Sequence, residues 1–407
     1  MRDRLPRTGV ERPERCHISM KKKIEPGLQY LLELGLHPAK NQEGVYQQIE
    51  AQLGQQQAIT MRMAVEASQS TAELYDRKNQ QPAAAILFSG AYDADFYRQA
   101  FAWITRHPQC FGQQILEVGC DCGIVSCFLA RLFPQAHITA IDRTENAIKA
   151  AKQLAGRLHV ENVTFLQRDI AQLGEQQYDT VVSMRTIHEN IADAEIQPAF
   201  ALLLEQAILY GNAVAQYAAQ IMQRVKAGGH FVTIEKGEKN PMLLGWLLDL
   251  HDNGLRLQRD TYTELCCHIL SQPVFFQAIS AVKAEAATDN VYAFWCSLFP
   301  IDWNAYQFQG WAAETVLQNT TPDFKKLEDG YYLYNQDGQR CGKYAVWSLR
   351  SRPDAVLYYC GSAQETTVGF YAASLLPAVK KQLAQLRGQA KAQGLTVQNM
   401  SGNIKIV

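Results

Sequence analysis

The chain has no CxxC pair among its ten cysteines, no excess of charge of either sign, and no long apolar run. Each absence removes a class of protein. Structural zinc favours cysteines two to four residues apart with a second pair elsewhere. Cys120, Cys122 and Cys127 cluster, but no second pair accompanies them, and the first two sit on a turn from which side chains diverge. The three-cysteine spacing of a radical-type iron–sulfur cluster is also missing, so no metal is expected. Scattered free thiols fit a reducing compartment, and a cytoplasmic location is expected. The richest apolar stretch, residues 241–250, is broken by Gly245 and Asp249 and falls short of the ~18–20 residues that a spanning helix needs. With 39 basic against 40 acidic residues and a net charge of −1, there is no basic field for a polyanion, which disfavours nucleic acid as a partner. The first twenty residues hold Arg2, Arg4, Arg7, Arg12 and Arg15 but no apolar core, and so fail as a secretory signal. Met20, followed by Lys21, Lys22 and Lys23, reads as a natural start. Residues 1–19 are therefore expected to be a disordered or misassigned extension.

What is present is a chain of 407 residues, 47% apolar and 19% charged, with room for two or three folded domains. One region names a chemistry. An apolar run, Ile115, Leu116 and Val118, leads into the turn Gly119-Cys120-Asp121-Cys122-Gly123, and a helical pattern follows. A second run over 137–141 ends in Asp142-Arg143, a third over 163–166 is followed by Asp169-Ile170, and a fourth spans 178–183. Strands that end in a glycine turn or an acidic residue are how a doubly wound α/β sheet holds an adenosine-bearing cofactor at its carboxyl edge.

The turn discriminates between cofactors. A dinucleotide fingerprint wants small residues at positions one, three and six, where backbone approaches a pyrophosphate. Those positions hold Gly119, Asp121 and Ile124, and the last two would meet the phosphates. The series resembles instead the motifs of class I S-adenosylmethionine-dependent methyltransferases, over residues 85–300. That family places an acidic residue two before the first glycine, with glycine at positions one, three and five. Glu117, Gly119 and Gly123 match; Asp121 departs, although Asp tolerates the left-handed conformation such a turn uses.

The resemblance implies a seven-stranded Rossmann-like sheet with S-adenosylmethionine as cofactor. It would sit on Glu117 and the turn Gly119, Cys120, Asp121 and Gly123. Asp142 would take the ribose hydroxyls, Arg143 would lie over the adenine, Asp169 would accept from its exocyclic amine, and Ile170 would pack on the ring. A carboxylate at Asp121 suits a ligand without phosphate, and could accept from the methionine ammonium.

The segment after strand four faces the reacting methyl. It carries neither the Pro-Pro-aromatic quartet of DNA amino-methyltransferases nor the Pro-Cys of cytosine-C5 enzymes. His188-Glu189 there resembles the His-Asp of small-molecule O-methyltransferases, in which the histidine is the general base. Glu235, at the end of strand five, matches the acidic residue that steadies that histidine. The alternative for His188 is a packing role at the strand end; His251-Asp252 is a weaker second candidate.

Residues 20–84 are expected to be a helical N-terminal lid, and the stretch 197–220 a helical insertion between strands four and five. Strand five covers 229–235. Strands six and seven are expected at 275–282 and 291–298, with a turn over 285–290. From 301 to 407 a small α+β accessory domain is expected, with strands at 331–334, 343–349 and 355–360, a helix over 371–392 and a closing strand. The expected partner is a small-molecule acceptor rather than a membrane or nucleic acid, with a homodimer left open. The rival readings are an acceptor protein or RNA presented by the C-terminal domain, a non-catalytic S-adenosylmethionine-binding module, and aminopropyl transfer. Arg185 and His188 argue against the last, which would want acidic residues after strand four.

Overall fold

The computed structural model describes residues 25–187, 190, 203–237, 239–284, 290–298, 307–309, 324–350, 353–362 and 366–400. His188, Glu189, residues 1–19, and 285–289 of the expected turn lie outside them. The described residues begin with six helices, α1 (Pro26–Glu33), α2 (Gln42–Leu53), α3 (Gln55–Glu66), α4 (Thr71–Asn79), α5 (Pro82–Tyr92) and α6 (Ala94–Arg106). There follow β1 (Gln114–Val118), α7 (Ile124–Leu132), β2 (His137–Asp142), α8 (Glu145–Arg157), β3 (Val163–Gln167) and β4 (Tyr178–Met184). Then come α9 (Leu203–Arg224), β5 (Val225–Lys236), α10 (Pro241–Asp252), β6 (Leu255–Ile269), β7 (Gln272–Lys283) and α11 (Val291–Ser297).

These strands form one seven-stranded sheet in the order β3-β2-β1-β4-β5-β7-β6. The first five run parallel, and β7 enters antiparallel beside β5. Adjacent residues on a strand point to opposite faces, and the sheet builds two cores from that alternation. Ile115, Val182 and Val232 join the N-terminal helices in one cluster, whereas Leu116, Val181 and Phe231 pack with α9, α10 and α11 in the other. The Tyr30 hydroxyl donates to the Ile124 carbonyl at 2.9 Å, and the Trp103 indole to the Thr261 carbonyl at 2.8 Å, so α1 and α6 are fastened to the sheet layer. Among the described residues no helix is long and apolar enough to cross a membrane.

Two expectations are corrected. Residues 291–298 do not form a strand: 291–297 are helix α11, and the sixth strand lies earlier, at 255–269. The neighbours Phe294 and Trp295 are both buried against the same core, which a helix allows and a half-buried strand forbids. The second correction falls in the C-terminal region. There β8 (Gln307–Gln309), β9 (Phe324–Tyr334), β10 (Arg340–Leu349), β11 (Ala355–Ser362), β12 (Thr366–Ala372) and β13 (Thr396–Asn399) form a separate six-stranded antiparallel sheet, with α12 (Leu376–Ala392) on one face. The helix expected from 371 begins at 376, because 366–372 pair with β11 and Pro377 marks the first helical turn.

Helices α9 and α10 cross at Gly211 and Gly245. A Cβ at Gly245 would stand 2.2 Å from the Ala207 carbonyl oxygen and 2.8 Å from the Gly211 nitrogen. Backbone cannot yield as a side-chain tip can, so Gly245→Ala is expected to destabilise by about 2 kcal/mol despite alanine's better helix propensity. Thermal unfolding checks this; a raised midpoint would contradict the packing.

Candidate active site

At the carboxyl ends of β1, β2 and β4 lies a cavity of about 690 Å³. Its floor is the turn after β1. Gly119 (φ 76°), Asp121 (φ 44°) and Gly123 (φ 81°) are left-handed, a conformation that glycine adopts freely and aspartate tolerates. Gly123 is doubly required, since a Cβ there would lie 2.8 Å from the Ala151 Cβ on α8. The Gly119 and Cys120 amides donate to the Ile141 carbonyl at 2.9 and 3.0 Å, which pins the turn to β2.

The acidic residues of the motif have different tasks. Glu117 is buried and accepts from the Ser126 hydroxyl. Burial, helped by the nearby charges of Asp142 and Asp121, pushes its carboxyl up to about 8. Asp142 ends β2 and accepts from the Asp121 amide at 3.0 Å, the Thr144 amide at 2.9 Å and the Thr144 hydroxyl at 2.8 Å. A carboxylate has about four acceptor sites, so one remains, on Oδ2. Asp169 caps the short turn at 170–172 by accepting from the Ala171 amide at 2.9 Å, and Ile170 is buried beside it. Arg143, Asp169 and Ile170 all line the cavity with Asp142.

The wall that meets the turn at Asp121 comes from the N-terminal helices, where the sequence carries no motif. Tyr75 and Lys78 of α4, Ser89 of α5, and Phe96 and Tyr97 of α6 line the cavity. Lys78 is buried and donates to Asp121 and to Ser89, each at 2.6 Å, while Asn79 donates to the other Asp121 oxygen at 2.8 Å. Burial alone would raise the Asp121 carboxyl; Lys78 and these hydrogen bonds outweigh it and hold it below the ordinary value. The departure of Asp121 from glycine was the available signal, because a carboxylate in such a turn needs a cationic partner.

After β4 the chain turns through Arg185 (φ 61°), whose guanidinium pairs with Asp93 at 2.5 Å and lies over the Phe96 ring. The hydroxyls of Ser183, Thr186 and Tyr217 form a buried cluster, with Tyr217 reaching in from α9 and bonding Thr186 at 2.8 Å and Ser183 at 3.0 Å. Behind them Glu235 accepts from the Thr186 and Ile187 amides, both at 3.2 Å. Burial pushes Glu235 up to about 8 against the pull of these donors. The second candidate pair is remote: His251 meets Asp252 at 3.4 Å at the end of α10, away from the cavity-lining residues.

Residues 111–256 match the family of methyltransferase domains. The chain carries a class I S-adenosylmethionine-dependent methyltransferase domain. The chain is also 29% identical over 210 residues to a malonyl-[acyl-carrier protein] O-methyltransferase of Bacillus cytotoxicus, covering 48% of this chain and 69% of that one. A Bacillus cereus protein of the same description is 28% identical over 201 residues, covering 47% and 71%. Among solved structures, a Synechocystis magnesium protoporphyrin IX methyltransferase is 17% identical, with a TM-score of 0.34 over 60% of this chain and 97% of that one.

The methyltransferase cavity fits that cofactor on its own chemistry. Asp121 and Asp142 bring their carboxylates to the cavity wall at the turn, a setting that favours a ligand bearing a sulfonium and an ammonium over one bearing phosphates. Ile141 and Ile170 supply apolar lining beside Asp142, where an adenosine would be held.

Proposed function

We propose that this methyltransferase moves the methyl group to an oxygen of a small molecule or carrier-borne group. The observation that carries the reading is the acceptor end of the cavity, where Phe96, Tyr97, Asp93, Arg185, Thr186 and Tyr217 combine aromatic walls with a few placed polar groups. A volume of about 690 Å³ lies in the range of pockets for cofactors and small ligands. The O-methyltransferases among the relatives support oxygen as the nucleophile.

Bound in this cavity, S-adenosylmethionine supplies a sulfonium methyl open to in-line displacement. The chain's own part is to position and, where needed, deprotonate the acceptor. Glu235 fixes the amides of Thr186 and Ile187, the two residues that precede the proposed base, His188, in sequence. A hydroxyl acceptor needs His188 to take its proton; a carboxylate acceptor arrives ionised and needs only orientation.

The test is methyl transfer from labelled S-adenosylmethionine to phenol, alcohol and carboxylate acceptors, the last including acyl-carrier thioesters. Base-labile label marks an ester and stable label an ether. For a hydroxyl acceptor, His188→Ala is expected to lower kcat by roughly 10²–10⁴-fold with cofactor affinity unchanged. Label entering only RNA or the amino-acid side chains of a protein would overturn the reading.

A further inference from the structure

The floor turn departs from its family's pattern at one residue, and the partner of that residue comes from far away in sequence. Asp121 is met by Lys78, 43 positions earlier on α4. Ser89 also donates to Asp121, at 3.3 Å, and Asn79 holds the other carboxylate oxygen. Lys78 and Asp121 both line the cavity; the lysine side chain is 5% exposed and the aspartate 22%. Removing two charges from water costs more than a close pair recovers in many proteins, and glycine at 121 would complete the turn without either charge. A pair placed on a cavity wall, with one oxygen of the carboxylate held by an amide and the ammonium braced by a hydroxyl, is built to face a ligand of mixed charge.

We propose that Lys78 and Asp121 form a two-charge clamp for the α-amino-acid end of the cofactor. Lys78 answers the carboxylate and Asp121 the ammonium, with Asn79 and Ser89 fixing both side chains. Helix α4 is then part of the cofactor site rather than only a cover over the acceptor. The clamp rests on the cofactor assignment, and it predicts discrimination: a ligand with the zwitterionic tail is read by both charges, and an adenosine thioether without it by neither.

Calorimetric titration with S-adenosylhomocysteine and with 5′-methylthioadenosine, which lacks the amino-acid tail, separates the possibilities. Lys78→Met is expected to weaken S-adenosylhomocysteine roughly ten- to hundredfold and to leave 5′-methylthioadenosine within about threefold. Because Lys78→Met strands a carboxylate, the double variant Lys78→Met/Asp121→Asn removes both charges and keeps the fold testable. It is expected to bind the two ligands with nearly equal affinity. Equal weakening of both ligands would make the pair a structural latch and overturn the clamp, as would an unchanged preference in the double variant. Failure of the wild-type protein to bind either ligand would bring down the cofactor site itself, and the clamp with it.

Discussion

Asp142→Ala is expected to weaken S-adenosylhomocysteine binding by roughly 10²–10³-fold, because the substitution acts twice. It removes the one acceptor site left on Oδ2 for a ribose hydroxyl, and a hydrogen bond to a charged group contributes about 1.5–3 kcal/mol. It also releases the Asp121 and Thr144 amides, which the carboxylate holds at 3.0 and 2.9 Å. The floor turn then loses the contact that ties Asp121 to the end of β2. Asp142→Asn separates the two effects. Its side-chain oxygen can hold one of the amides in place, so a loss of about tenfold is expected. Calorimetry with thermal unfolding as a control for folding makes the measurement. A folded Asp142→Ala protein that binds as tightly as the wild type would show that the ribose is held elsewhere.

The sheet and the floor of the site were legible because their signals are local. Gly119 and Gly123 announce a turn that other residues resist, and the runs at 115–118, 137–141 and 178–183 are short strands rich in Ile, Leu and Val, of the kind a sheet covered on both faces requires. The sixth strand was missed for the opposite reason. Residues 255–269 carry Arg256, Arg259, Asp260 and Glu264 at the sheet edge, with an irregular register between Gln258 and Thr263. An edge strand is half solvated and need not read as apolar. Val291, Phe294 and Trp295 look like strand residues, and only the core they enter makes them a helix. The far wall of the site was illegible on different grounds. Lys78 and Asp93 meet Asp121 and Arg185 across 43 and 92 positions, and no spacing rule joins them. Asp121 alone signalled, by its oddity, that a cation had to come from somewhere.

The same convergence of carboxyl groups predicts how stability responds to pH. Glu117 and Glu235 are fully buried, one beneath the floor turn and one behind the acceptor loop, and burial raises each from 4.5 to about 8. A carboxyl raised in the folded state binds a proton that the unfolded chain has given up between those values. Its contribution is complete below about 4.5 and is lost as pH rises through about 8. One pKa unit corresponds to 1.36 kcal/mol, so each group contributes on the order of 5 kcal/mol at most. Asp121, Asp95 and Asp179 act in the other direction: their carboxyls are held below the ordinary value, and their contribution disappears only as pH falls below about 3.8. Stability is therefore expected to peak on the acid side of neutrality, near pH 4–5, and to decline towards pH 8. Urea unfolding across that span measures the slope. Glu117→Gln and Glu235→Gln each keep an acceptor oxygen for their neighbours and remove the titration, and the double variant is expected to show a nearly flat profile. A wild-type protein whose stability rises from pH 5 to 8 would mean that both carboxyls are ionised in the folded state. Glu235 would then hold the Thr186 and Ile187 amides as an anion, a stronger grip on the segment that leads to the proposed base.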